Sequence, residues 1–115
     1  MIQADVCVIG GGPSGAAAAL TLARYTKHQV VLIESSRYDT RRVGETVSAG
    51  VVPLLSYLGA DAILTDATTL TSFGTAGAWG SDELIERDFI YTGRGQGLHL
   101  DRCGFDRALA DGLKN

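Results

Sequence analysis

Apolar and polar positions follow two different periods along the first third of the chain. Val6-Cys7-Val8-Ile9 is an unbroken apolar run with β-branched side chains. That pattern predicts a strand over 4–9 with apolar residues on both faces, as in a parallel sheet covered on both sides. Cys7 is then a small core residue. From Pro13 the period lengthens. Ala16, Ala19, Leu20 and Ala23 recur at helical spacing, which predicts a helix over 13–26 with that face against the sheet. Gln29-Val30-Val31-Leu32-Ile33-Glu34 reads as a second strand ending in an acid.

Further along, the signals are shorter. A helix is expected over 51–58, with Pro53 tolerated in its first turn and Gly59 as its stop. A brief helix is expected over 61–64. Residues 68–79 are rich in Thr, Leu, Phe and Trp and are broken by Gly74 and Gly77, so one or two bent strands are expected. Gly80-Ser81-Asp82 reads as a turn. Residues 83–91 stand between strand and irregular structure, and 92–97 read as a loop. A short strand over 98–100 leads to Asp101, a helix cap. The helix over 102–113 turns Phe105, Ala108, Leu109 and Leu113 inward and sets Arg107 and Asp111 as a pair on its outside.

Composition narrows the class. At 115 residues the chain is at most one small domain. Its 15 glycines are nearly twice the usual ~7%. The net charge of −3, without a basic block, argues against nucleic acid as a partner. Charges interrupt every apolar stretch, so no membrane span is expected. A strand begins almost at once, leaving no room for a signal peptide. Cys7 and Cys103 read as free thiols of a reducing, cytoplasmic setting, with no metal site.

The chemistry sits in the first turn. Gly10-Gly11-Gly12-Pro13-Ser14-Gly15 fits the G-x-G-x-x-G dinucleotide fingerprint between strand and helix. Gly10 permits the tight turn, Gly12 lets backbone approach a pyrophosphate, and Gly15 lets the helix lie close to the strand. Pro13 suits the first helical turn, and the free amides there, with the positive end of the helix dipole, attract phosphate oxygens. Glu34 lies 19 residues beyond Gly15, close to the ~20 expected for the acid that takes a ribose hydroxyl. Its carboxylate accepts from a ribose diol and repels a 2′-phosphate. The plainer alternative is a βαβ crossover with a surface glutamate. No Gly-Lys-Ser/Thr follows the turn, which disfavours a Walker-type site.

These residues resemble a known family. The glycine turn with Glu34 is similar to the N-terminus of FAD-dependent monooxygenases of the aromatic-hydroxylase type. Arg42-Val43-Gly44-Glu45-Thr46, Gly50-Val51-Val52-Pro53-Leu54-Leu55 and Leu58-Gly59 look like the branch holding tryptophan halogenases. So do Gly97-Leu98-His99-Leu100-Asp101-Arg102, Phe105-Asp106 and Leu109. The likeness extends to flavoprotein maturases that modify a tryptophan of a precursor oxidase on the way to a cysteine tryptophylquinone. It implies an α/β, Rossmann-like FAD-binding domain of which 1–115 is the N-terminal portion, incomplete in this chain.

The resemblance also implies roles. FAD would be held by Gly10, Gly12, Pro13, Ser14 and Gly15 at the pyrophosphate and by Glu34 and Ser35 at the adenosine ribose. Arg42, Gly44 and Glu45 would lie along it toward the flavin. Arg102 would reach the pyrophosphate or ribityl chain. For Arg42 and Arg102 the plain alternative is a solvated arginine; for Glu45, a weak candidate for proton handling, it is a surface glutamate. His99 lacks partners for a triad. The later Gly-Asp motif and the substrate domain of such proteins are absent from these residues, so the rest of the flavoprotein is an expected partner, with a precursor oxidase as a further one. Reduced flavin in that family uses O₂ to oxygenate an aromatic or indole group. The fingerprint alone also permits an NAD-dependent dehydrogenase or a non-catalytic dinucleotide-binding or assembly module.

Overall fold

The computed structural model describes residues 1–65 and 69–114. The expected strand, helix and strand are present as β1 (Val6–Ile9), α1 (Pro13–Tyr25) and β2 (Val30–Ile33). β1 and β2 pair in parallel, with Val6 opposite Val30 and Ile9 opposite Ile33. They are followed by β3 (Thr46–Val47), α2 (Val51–Leu58), β4 (Thr69–Ser72), β5 (Gly74–Gly77), β6 (Ile85–Asp88), β7 (Gly97–Leu100) and α3 (Arg102–Asp111). A second sheet has the order β3-β7-β4, antiparallel throughout, and β5 and β6 form a separate hairpin. Thr68, the start of the expected 68–79 strand region, lies outside the described residues.

The core lies where three helices meet β7. Ala16 and Leu20 of α1, Leu55 of α2, Leu100 of β7, and Phe105 and Leu109 of α3 form one buried cluster. Local chemistry sets the ends of these helices. Gly59 stops α2 in a left-handed conformation, with its N–H on the Leu55 and Ser56 carbonyls. Asp101 caps α3 by accepting from the Cys103 amide. A single 3₁₀ turn follows α2 at Asp61–Ile63, another follows β6 at Phe89–Thr92, and a third extends α3 at Gly112–Lys114.

Three expectations are corrected. Cys7 is an exposed free thiol, not a core residue. β1 is covered only on the face of Val6 and Val8, where α1 packs; Cys7 and Ile9 occupy the uncovered face. Ala23 is exposed rather than against the sheet, because a helix of 13 residues outruns strands of four residues. Arg107 and Asp111 do not pair. Arg107 donates to the carbonyls of Arg37 and Tyr38 at 3.1 and 3.0 Å, and Asp111 pairs with Lys114 at 2.6 Å.

Candidate functional site

The site begins where β1 ends. Gly10 has φ +101°, which a side chain would disfavour, and its N–H extends the β1–β2 ladder to the Ile33 carbonyl at 2.8 Å. A Cβ on Gly15 would overlap the Gly10 carbonyl oxygen, so helix and strand touch through backbone. Gly12 caps α1 with extended backbone and no side-chain hydrogen bond to the helix start, and Pro13 opens the helix. The first-turn amides therefore have no intrahelical acceptor. Over Gly12 the nearest protein atom to an added Cβ is Arg42 Nη1 at 4.0 Å, so protein leaves that approach open. Ser14, beside it, is exposed.

Gly11 is a residue that sequence reasoning left without a role. It is buried; its N–H donates to Glu34 Oε2 at 2.5 Å and its carbonyl accepts from the Tyr38 hydroxyl at 2.9 Å. A Cβ there would run into that hydroxyl and into Glu34. The available signal was a third consecutive glycine where the fingerprint requires only the outer two.

Glu34 is held at the end of β2 with its side chain 14% exposed. Oε1 accepts from the Ser36 amide at 2.8 Å and from Arg42 Nη2 at 3.3 Å. With the Gly11 amide, this uses three of roughly four acceptor positions on a carboxylate. Its pKa is lowered from 4.5 to about 2, first by the backbone and hydroxyl hydrogen bonds of Ser36, then by the Gly11 amide. Burial, then the Glu34 charge, pushes the Tyr38 phenol up. Ser35, expected at the adenosine ribose, is exposed; Ser36 supplies the amide to Glu34, and its Oγ accepts from Arg42 at 2.7 Å.

This environment has a consequence for acid stability. The Glu34 charge stabilises the fold fully above its ordinary pKa of 4.5, and that contribution is lost as pH falls toward about 2. Glu34→Gln is expected to melt at a lower temperature than the parent near pH 6 and to lose less stability between pH 4.5 and 2. Melting temperatures across that range test this; parallel profiles would contradict it.

Behind Glu34 lies a ladder of charges. Arg42 Nη1 is 3.6 Å from Asp106 Oδ2, and its guanidinium lies 5.8 Å from the centre of the Tyr38 ring. Asp106 is fully buried. Arg102 grips it with two prongs, Nε to Oδ1 and Nη2 to Oδ2, both at 3.0 Å. The Arg102 Nη1 donates to the Val43 and Gly44 carbonyls at 2.7 and 3.3 Å. It thereby holds a turn in which Gly44 has φ +89°. The hydrogen bonds to Asp106 raise the Arg102 pKa further. All three nitrogens of Arg102 thus serve protein oxygens. Glu45 stands apart on the rim, its carboxylate 3.4 Å from Arg41, while its carbonyl accepts from the Leu100 amide at 2.6 Å.

In the sequence Asp106 stands out only as part of the Phe105-Asp106 motif, not as a site residue. Its signal was the spacing of four from Arg102 on a helix, beside the inward-facing Phe105. A cavity of about 290 Å³ adjoins this network, bordered by Pro13, Ser14, Gly44 and Arg102 and otherwise by apolar side chains of α1, β3, α2, β7 and α3. It joins the start of α1 to an apolar interior. A larger cavity of about 740 Å³ lies along Arg24, Gly59 and Leu113, away from the glycine turn.

Residues 5–107 match the family model described as tryptophan halogenase. This chain belongs to the tryptophan halogenase family. It is 33% identical over 106 residues to LodB of Marinomonas mediterranea, named as an FAD-dependent oxidoreductase, covering 91% of this chain and 29% of that protein. It is 31% identical over 108 residues to a tryptophan 2-halogenase of Chondromyces crocatus, covering 90% and 20%. The chain thus spans less than a third of the length of these relatives. Among solved structures, the myxobacterial chondrochloren halogenase CndH, a variant of FAD-dependent halogenases, superposes with TM-score 0.81 at 26% identity over 96% of this chain and 26% of that one. The flavin-dependent halogenase CmlS superposes with TM-score 0.77 at 28% identity, over 99% and 21%. The α/β fold, with its parallel βαβ start, is that of the FAD-binding region of these halogenases.

Proposed function

We propose that this chain forms the FAD-binding part of a flavin-dependent oxidoreductase of monooxygenase or halogenase type that acts on an aromatic or indole group. One observation carries the reading. The uncapped start of α1, the approach over Gly12 that protein leaves open, and the Glu34 carboxylate meet at one corner. The pyrophosphate would lie on the first-turn N–H groups of Gly12, Ser14 and Gly15, beside Pro13, which has no N–H to give, where the helix dipole favours negative charge. The ribose would use the remaining acceptor position of Glu34. Arg42 would offset the added phosphate charge. Arg102, through the Val43 and Gly44 carbonyls, would hold the turn that borders the cavity. Bound FAD would supply the redox chemistry, and the protein its placement.

The test is the visible spectrum of the intact, purified protein. Flavin absorbance is expected, and FAD is expected to outcompete NADH. Glu34→Ala should weaken FAD binding about tenfold or more, the effect of losing a hydrogen bond to a charged group. A folded, colourless protein that takes up no FAD would remove the reading. Oxygen consumption with turnover separates it from a non-catalytic dinucleotide-binding module.

A finer reading, supported by the motif likeness over Arg42–Thr46 and Gly97–Arg102, is that the oxidised group is a tryptophan of a precursor oxidase. Co-expression with the candidate precursor should then add oxygen mass to that tryptophan; an unmodified precursor counts against it.

A further inference from the structure

We propose that Asp106 is a positioning residue for dinucleotide binding, acting through Arg42 to hold a guanidinium edge beside the start of α1. This rests on the FAD reading above and adds to it a residue that touches no ligand.

The geometry singles out Asp106 from both ends. Its side chain is wholly buried, between Phe105 and Leu109 in the chain, at the core. A buried carboxylate needs charged partners. Arg102 alone balances that charge, with two hydrogen bonds of 3.0 Å. The second arginine is surplus to that need, yet Arg42 Nη1 lies 3.6 Å from Oδ2.

What Asp106 does for Arg42 is the reason for the arrangement. Nη2 of Arg42 is drawn to Glu34 Oε1 and Ser36 Oγ. With no counter-attraction, the guanidinium would close on Glu34, the carboxylate needed by the ribose. Asp106 pulls on Nη1 from the opposite side. A planar guanidinium held at both nitrogens has a fixed orientation, which lysine does not reproduce. The edge so fixed carries the Nη1 that stands 4.0 Å from an added Cβ on Gly12. It therefore lies beside the path a phosphate takes to the helix amides.

Titrating the intact protein with adenosine and with ADP tests this. Adenosine reads the Glu34 contact; ADP adds the pyrophosphate. Asp106→Asn keeps the shape and removes the charge. It is expected to weaken ADP about tenfold while changing adenosine binding less than about twofold. Arg42→Gln should do the same, and the double variant should lose no more ADP affinity than either single one. Arg42→Lys keeps a charge near the surface without bridging two carboxylates, so it should also lose ADP affinity even if Asp106→Asn fails to fold. Unchanged ADP binding in Asp106→Asn or Arg42→Lys overturns the proposal. So do equal losses for adenosine and ADP, which mark a general structural effect, and losses that multiply in the double variant. Parent protein that binds neither ligand overturns the dinucleotide reading itself, a result distinct from any of these.

Discussion

Gly15→Ala is expected to destabilise the protein by about 3 kcal/mol, the upper end of the range for overpacking. The added Cβ would overlap the Gly10 carbonyl oxygen and stand 3.0 Å from the Gly10 carbonyl carbon. Neither obstacle is a flexible side chain. Gly10 is anchored by its N–H to Ile33, and the first turn of α1 is anchored by the Ala16 amide on the Gly12 carbonyl at 2.9 Å. Relief therefore requires α1 to lift from the end of β1, and α1 carries Ala16 and Leu20 into the core. Denaturant unfolding measures the loss. Gly12→Ala is the control, because protein leaves room for its Cβ. That variant should unfold near the parent and still lose FAD, since the methyl would stand where phosphate approaches. A Gly15→Ala protein as stable as the parent would show that this contact gives way without cost.

Asp106→Ala is expected to cost about 3 kcal/mol, the low end for removing one partner of a buried ion pair. Arg102 would lose both prongs with its side chain only 16% exposed. Arg42, 31% exposed, would lose its inner partner. The low end applies because Arg102 keeps the Val43 and Gly44 carbonyls and Arg42 keeps Glu34 and water. Asp111→Ala, about a turn and a half along the same helix, removes only an exposed pair with Lys114 and should stay within about 0.5 kcal/mol of the parent. Equal stability of the two variants would mean that the buried network contributes nothing. Loss at Asp106 alone would place the weight of α3 on the side chain that the amphipathic pattern concealed.

The features legible in sequence share one property: their physical cause is local. The strand, glycine turn and helix of 6–25 follow from periodicity and from backbone torsions that few residues tolerate, so the fingerprint and the spacing to Glu34 mark the corner in the sequence itself. Gly59 and Asp101 ended and began their helices for the same reason. Misreadings arose where the cause is distant. Cys7 looked buried because an apolar run does not reveal whether a second layer covers a sheet. Arg107 looked paired with Asp111, but its acceptors are the carbonyls of Arg37 and Tyr38, 70 and 69 residues away. Ser36, which the sequence marks with no role, reaches Glu34 only through the turn after β2.

By itself, then, the sequence determined the βαβ start, the glycine-turn corner and the family likeness, because these depend on spacing and on which residues lack side chains. Only the tertiary structure decided how the charges connect. It showed Gly11 closed in by Glu34 and Tyr38, Arg102 turned to Asp106 and the 43–44 carbonyls, and Arg42 shared between two carboxylates that lie 72 residues apart in the chain. A buried ion pair leaves little trace in periodicity, since its energy comes from desolvated partners that meet only after α3 has packed against the glycine turn.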